Sequence, residues 1–174
     1  MNQTDTKKIC IDIINKIDFE KVVDHPNILI AAQLWDEERY QAAKVCYKFM
    51  RAIDDLIDDH KTIHSTISDE LKDVFEYKVK IWIETIIQSD NSEYKDIVDV
   101  IMKMKIPTWP LEAFSKSMIY DIHHDGFHTL DEFIDYAQGA SVAPAAIFVH
   151  LCGLTREGDN YVAPAFDVRE VATP

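Results

Sequence analysis

The chain has 174 residues, of which 47% are hydrophobic and 28% are charged. This balance is typical of a globular protein and excludes a disordered or membrane-spanning chain. The 18 basic and 31 acidic residues give a formal net charge of −13, so we expect no nucleic-acid partner. The three cysteines lack metal-ligand spacing, which indicates reduced thiols and a cytoplasmic location.

Sustained strand-like alternation is absent and glycines are few, which predicts an all-α fold. Apolar spacing and caps predict helical segments over residues 9–17, 26–35, 36–59, 66–89, 94–104, 111–124 and 130–138, and through 144 to 151. Asp36 and the pair Thr129–Glu132 are predicted N-terminal caps, as is the pair Thr66–Asp69. No linker or repeat divides the chain, so we expect one helical domain over residues 1–174.

Residues 51–59 (RAIDDLIDD) carry the strongest chemical signal. At about 100° per residue, Tyr47, Arg51, Asp54 and Asp58 fall within an arc of about 60° and share one face of a helix. Two carboxylates one turn apart repel each other unless a cation neutralises them. Hard oxygen donors suit Mg²⁺, and Arg51 could hold a phosphate that the same ion binds.

The alternative is a solvated acidic surface, which is what a run of charges usually forms. A helix ending near Asp59 would place four aspartates in its last turn and a half, where the partial negative charge of the C-terminus disfavours acids. Ile53 and Ile57 indicate that the same helix packs in a core. From the pattern alone, the metal site and the solvated surface are equally open.

These residues resemble the squalene and phytoene synthases, which join two prenyl diphosphates head to head. Asp54-x-x-x-Asp58, preceded by Arg51 and by the segment CYKF at 46–49, resembles the first aspartate-rich motif of that family. The second match is more specific, because MIYD at 118–121 is followed by FHTLDEF at 127–133 and by Tyr136 in the family's spacing. The resemblance extends from residue 24 to about residue 154.

The resemblance implies an isoprenoid-synthase-type helical bundle around a central cavity, with Mg²⁺ as cofactor. It implies that Tyr136 is the catalytic tyrosine, and that Asp54 and Asp58 are catalytic and bind the metal. The residues expected to contact the substrate or its diphosphate are Arg51, Tyr47, Asp121, His25 and Asn27.

The resemblance implies a prenyltransferase that condenses two farnesyl or geranylgeranyl diphosphates with loss of diphosphate. A head-to-tail synthase or terpene cyclase stays open, because Asp54-Asp55-x-x-Asp58 also reads as Asp-Asp-x-x-Asp. A third alternative is a non-catalytic helical module that binds diphosphate or packs against a partner.

The sequence departs from the family in three places. His25-Pro26-Asn27 stands where the family often has Ser-x-Ser, and ASVAPA at 140–145 replaces a glycine-containing stretch, so we expect Pro144 to bend the helix. No Asp-x-x-x-Asp follows Tyr136, where the family has a second aspartate-rich helix. We therefore expect a bundle that is incomplete at its C-terminus. The side that faces the aspartates should carry an exposed apolar patch, or should be covered by a second copy of the chain or by a further C-terminal segment. Contact with a membrane surface stays open, but no transmembrane segment is expected.

Two groups of histidines have spacings that also occur in zinc sites. They are His60 with His64, and His123 and His124 with His128. Neither group has a complete set of ligands, so solvated residues are the favoured interpretation.

Two further side chains are expected in the core. For Phe133, burial is favoured over a role in lining the cavity. Cys46 has no histidine neighbour and is expected to be a small buried hydrophobe rather than a nucleophile.

Overall fold

The computed structural model describes residues 27–88 and 94–173. The helices are α1 (Asn27–Ala32), α2 (Glu37–His64), α3 (Asp69–Gln88), α4 (Lys95–Lys103), α5 (Trp109–His123), α6 (Leu130–Ala137), α7 (Ala143–Gly153) and α8 (Val168–Ala172). A π-helical turn, Gln138–Val142, joins α6 to α7, and strands β1 (Thr155–Glu157) and β2 (Asn160–Val162) form an antiparallel hairpin. Apart from this hairpin the described fold is all-α, as predicted. None of the described helices has the length and hydropathy needed to cross a bilayer.

Contacts divide the chain into two compact units, Met1–Gln41 and Ala42–Pro174. In the first unit the structure describes α1 and the start of α2, where Leu29 and Ala32 are buried. The predicted cap of α2 is present, because the Arg39 backbone N–H donates to Asp36 Oδ1 at 3.1 Å. The second unit contains the rest of α2 and all the later elements.

In the second unit, buried side chains recur every three to four residues along the long helices. They are Cys46, Met50, Ile53 and Ile57 on α2, Phe75, Val79, Ile83 and Ile86 on α3, and Leu111, Phe114, Met118 and Ile122 on α5. Burial raises the pKa of the Cys46 thiol to about 12, so this cysteine is the inert core residue that the sequence predicts. The aspartates lie about 100° around the helix from this packed side, where Asp54 is half-buried and Asp58 is exposed.

Helix α2 continues past Asp59, where the sequence pattern placed its end, to His64. The extension puts the aspartates more than a turn before the C-terminus, so the predicted conflict with the helix dipole does not arise. The last turn instead contains Lys61 and His64, and a cation is favourable at that position.

Helix α3 begins later than its predicted cap. Its first carbonyl acceptor is Ser68, which receives hydrogen bonds from the backbone N–H groups of Leu71 and Lys72 at 2.9 and 3.0 Å. The predicted pair Thr66–Asp69 does not cap the helix, because α3 begins only at Asp69. Ile67, in the turn before it, is buried. The Asp69 carboxylate accepts from Lys72 instead.

Helix α6 has the predicted cap but no buried residue. The Glu132 backbone N–H donates to Thr129 Oγ1 at 3.1 Å, and Glu132 Oε2 accepts from the His128 backbone N–H at 2.7 Å. Phe133 is 48% exposed, so its predicted burial in the core is wrong. Periodicity identifies the apolar side of a helix but does not reveal whether another element covers it.

Four exposed apolar side chains form a surface along α6 and the loop before it. They are Phe127, Leu130, Phe133 and Ile134. These side chains lie beside Tyr136, because the ring centroids of Phe127 and Tyr136 are 5.0 Å apart.

The π-helical turn packs against α5 through Gly139. A Cβ at this position would lie 2.0 Å from the Ala113 carbonyl oxygen and 2.2 Å from Ser117 Oγ, so only glycine allows this approach. Ser117 Oγ donates to the Tyr136 carbonyl oxygen at 2.7 Å, which ties the same join to α5. The orientation of α6 therefore depends on this contact.

The sequence predicts that Pro144 bends the helix. The break between α6 and α7 instead comes before Pro144. The Ala143 backbone N–H donates to the carbonyl oxygen of Gln138, five residues earlier, which is the π-helical pattern. Pro144 has no N–H and follows at the start of α7, where its missing donor is tolerated.

We predict that Gly139→Ala destabilises the protein by about 1–3 kcal/mol, because the added methyl forces α6 away from α5. Gly126→Ala is the matched control, since a Cβ at Gly126 would meet no atom within 4 Å, and its effect should stay within about 0.5 kcal/mol. Urea unfolding followed by circular dichroism measures both free energies. Equal stabilities of the two variants would contradict the close approach at Gly139.

Candidate active site

The predicted aspartates line one face of α2 together with Arg51. The Arg51 guanidinium divides its two ends between Asp54 and Asp55, with Nη1 2.7 Å from Asp54 Oδ2 and Nη2 2.7 Å from Asp55 Oδ1. Asp54 is half-buried, whereas Arg51 and Asp58 are exposed. This face of the helix is therefore open to solvent rather than enclosed.

Negative charge on this face exceeds what Arg51 neutralises. The pKa of the Asp54 carboxyl is raised, first by burial and then by the charge of Asp58, with further contributions from Asp55 and Asp121. Arg51 acts in the opposite direction but does not reverse the shift. Such a carboxylate cluster favours binding of an additional cation.

Tyr136 lies close to the same carboxylates. Burial, followed by the charges of Asp121, Asp54 and Asp58, raises the pKa of its phenol to about 12. At neutral pH the phenol is therefore protonated and can donate a hydrogen bond. The structure thus brings together predicted residues from α2, α5 and α6 that are more than 80 positions apart at the extremes of the set.

Aromatic rings surround Tyr136. The Tyr120 ring is stacked on Phe127 and His124, with centroids 5.6 and 3.9 Å apart, and lies 5.9 Å from the Tyr136 ring. Tyr120 Oη donates to the Gly126 carbonyl oxygen at 3.1 Å, which holds the loop after α5 in place. An open pocket of about 290 Å³ borders this cluster and is lined by Lys116, Ser117, Tyr120, Glu132, Asp135 and Tyr136.

Lys61 is a site residue that the sequence interpretation missed. Its ammonium lies 3.0 Å from Asp121 Oδ1 and also donates to the carbonyl oxygens of Asp121 and His124. Lys61 follows Asp58 by three residues, so helical spacing alone places it on the aspartate face. That signal was available, but its partner on α5 becomes visible only in the folded chain.

The other predicted contact residues differ in how far the structure describes them. Tyr47 is half-buried and lies within electrostatic reach of Arg51. Asn27 is the first residue of α1, and its side chain is outside the described part of the structure. His25 lies outside the described residues altogether.

The histidines make contacts of other kinds. The rings of His60 and His64 lie 4.6 Å apart, and His123 Nε2 lies 2.6 Å from Glu76 Oε2. His124 Nδ1 lies 2.8 Å from the Tyr120 carbonyl oxygen. Within residues 27–88 and 94–173, no three His, Cys, Asp or Glu side chains form a group that could hold a metal ion.

The sequence model of the squalene/phytoene synthase family matches residues 24–166. A comparison with curated proteins finds no match, and a comparison with solved structures finds none either. Because the family match covers most of the sequence, the chain belongs to the squalene/phytoene synthase family. Family membership makes it a squalene/phytoene synthase-like prenyltransferase. Its all-α architecture agrees with the isoprenoid-synthase fold.

The raised pKa of Asp54 gives a direct test of the carboxylate cluster. Asp58→Asn removes the largest charge that raises it, so the pKa of Asp54 should fall toward the reference value of 3.8, as measured by carboxyl ¹³C nuclear magnetic resonance. Asp59→Asn is the control, because Asp59 is not among the charges that act on Asp54.

The sign of the effect on stability follows from the same shift. A raised pKa means that the folded state binds the proton more tightly, so ionised Asp54 lowers stability above its folded-state pKa, and this cost disappears as the pH falls through that value. At neutral pH, Asp58→Asn should therefore reduce the loss of stability that ionised Asp54 causes. Equal shifts of the Asp54 pKa in Asp58→Asn and Asp59→Asn would contradict the arrangement.

Proposed function

We propose that this protein catalyses the Mg²⁺-dependent head-to-head condensation of two prenyl diphosphates, farnesyl or geranylgeranyl, with release of diphosphate. The observation that carries the proposal is the convergence of Asp54, Asp58, Asp121 and Tyr136 from three helices. Family membership supports the reaction class, and this convergence supports a site at these residues.

The residues present fit a Mg²⁺ ion. Asp54 and Asp58 lie one helical turn apart and offer hard oxygen donors. Burial and then the charge of Asp58 raise the pKa of Asp54, so an added cation is favourable there. Mg²⁺ keeps several waters and is usually held by one or two carboxylates together with substrate phosphate. When bound, Mg²⁺ would supply charge stabilisation for the departing diphosphate.

Arg51 is the residue best suited to bind the diphosphate directly. Its guanidinium is about half exposed, with a side-chain accessibility of 49%, and both of its ion pairs are with partly exposed carboxylates. Ion pairs of this kind contribute little, about 0–1 kcal/mol, so Arg51 can exchange a carboxylate for a phosphate oxygen at small cost. Tyr47 lies beside it on the same face.

The proposed reaction forms a carbocation, which the other residues of the site must shield from water. Ionisation breaks the C–O bond of the first substrate, and the electron pair leaves with diphosphate. The π bond of the second substrate then attacks the allylic cation, and loss of a proton closes a cyclopropane ring. The aromatic faces of Tyr120 and Phe127 can stabilise positive charge and limit access of water.

Tyr136 acts as a hydrogen-bond donor and not as a base. With its pKa near 12, the phenol stays protonated at neutral pH. Its hydroxyl can donate a hydrogen bond to one oxygen of the departing diphosphate and hold that anion in place, and another diphosphate oxygen accepts the proton released on ring closure. Asp121 contributes to the electrostatic field around the phenol and so helps to keep it protonated.

The central test is diphosphate release from farnesyl or geranylgeranyl diphosphate with Mg²⁺. We expect Asp54→Asn to reduce the rate by at least about 100-fold, because charge stabilisation at the leaving group is lost. Asp59→Asn, a matched change on the same helix, should keep most of the activity. Full turnover by Asp54→Asn would overturn the assignment of the metal ligands.

The products separate the alternatives. A cyclopropyl or fully rearranged head-to-head product supports the proposal, whereas a longer linear diphosphate indicates a head-to-tail synthase and a cyclic hydrocarbon indicates a terpene cyclase. Binding of substrate without diphosphate release would indicate a non-catalytic module.

For Tyr136 we predict that Tyr136→Phe lowers kcat by about 100-fold or more, because removing the hydroxyl removes the hydrogen bond to the departing diphosphate. The value of KM should change little, since the ring that packs against Phe127 remains. Tyr77→Phe is the control, because Tyr77 is 66% exposed on α3. Steady-state kinetics measures both constants, and an unchanged kcat in Tyr136→Phe would remove this residue from the mechanism.

A further inference from the structure

The proposed mechanism gives no role to Lys61, although this residue lies on the same face of α2 as the aspartates. Lys61 follows Asp58 by three residues and Asp54 by seven, and these spacings align on one side of a helix. Its side chain is only 18% exposed. A cation is therefore built into the face that is proposed to bind Mg²⁺.

The contacts of Lys61 fix its ammonium on α5. Nζ donates to the Asp121 carbonyl oxygen at 2.5 Å, to Asp121 Oδ1 at 3.0 Å and to the His124 carbonyl oxygen at 2.8 Å. An ammonium has three N–H donors, so these three acceptors use all of them. The two carbonyls lie at the C-terminal end of α5, where helical carbonyls lack partners and carry partial negative charge.

Asp121, the partner of Lys61, also faces the proposed catalytic residues. Its charge is among those that raise the pKa of Tyr136 and of Asp54, so it lies within electrostatic reach of both. Among the described residues no three carboxylates are grouped closely enough to hold a metal ion, so Asp121 is not a ligand in this arrangement. The bonds to Lys61 pair the Asp121 carboxylate and fix its orientation.

We infer that Lys61 is a positioning residue that holds Asp121 in place and withholds it from a cation bound by Asp54 and Asp58. This inference rests on the proposed function, because it presupposes a cation at these two aspartates. Two carboxylates instead of three leave more coordination positions for water and diphosphate, and leave the bound ion with more net positive charge toward the substrate.

The test is binding of Mn²⁺ alone, measured from the electron paramagnetic resonance signal of the free ion. Lys61→Met frees Asp121, so we expect it to bind Mn²⁺ at least about threefold more tightly than the wild type, as an added unit charge nearby requires. Lys61→Arg keeps the charge and should behave like the wild type. Adding Asp121→Asn to Lys61→Met should abolish the gain.

Two further variants keep the test decisive. Lys72→Met removes the same charge and a similar bond, 3.0 Å from Nζ to Asp69, but Asp69 is not among the charges acting on Asp54, so the affinity should not change. Asp121→Asn in the wild-type background removes a nearby charge but no ligand, so Mn²⁺ affinity should fall by no more than about threefold, the size expected of one unit charge. This variant does not require Lys61→Met to fold.

Each outcome has a separate meaning. If Lys61 has only a structural role, Lys61→Met lowers the unfolding temperature and binds Mn²⁺ no more tightly than the wild type, which overturns the inference. A large loss of affinity in Asp121→Asn also overturns it, because Asp121 would then be a ligand. If no variant binds Mn²⁺, the proposed cation site fails, and this inference fails with it.

Discussion

Mutual repulsion among carboxylates that cannot move apart is the constraint on which the site depends. Burial of Ile53 and Ile57 fixes the rotation of α2 about its axis, and this places Asp54 and Asp58 together about 100° around the helix from the buried side. Rotating the helix to separate the charges from α5 and α6 would expose both isoleucines, at a cost of about 1.5–3 kcal/mol each. The hydrophobic core thus maintains an electrostatic arrangement that lowers stability, as is common where selection acts on function.

The position of Tyr136 has a different physical origin. Helix α6 buries none of its own residues, so packing along its length does not determine its orientation. The close approach of Gly139 to α5 and the hydrogen bond from Ser117 to the Tyr136 carbonyl fix one end of the helix. At the other end, Thr129 caps it. The position of Tyr136 is therefore set by backbone contacts at both ends of α6 rather than by a buried face.

The sequence predicted the features that depend on local spacing. The shared face of Asp54 and Asp58 follows from helical periodicity, and the caps at Asp36 and Thr129 follow from side chains that accept backbone hydrogen bonds. The sequence pattern ends α2 too early, at Asp59. No glycine or proline follows Asp59 to stop the helix, so the helix continues. The exposure of Phe133 could not be predicted either, since it depends on what packs against α6, and the pairing of Lys61 with α5 is a contact between distant segments.

The net charge of the chain explains why the proposed site needs an added cation. A formal charge of −13 opposes the approach of a diphosphate, so attraction must come from local positive groups. On the aspartate face those groups are Arg51 and Lys61, and each already pairs with carboxylates, Arg51 with Asp54 and Asp55 and Lys61 with Asp121. When either cation binds an anion, a carboxylate that it had paired with becomes unpaired, and the charge of that carboxylate weakens the attraction. A divalent ion at Asp54 and Asp58 reverses the local sign of charge, so we expect the cation to bind before the diphosphate.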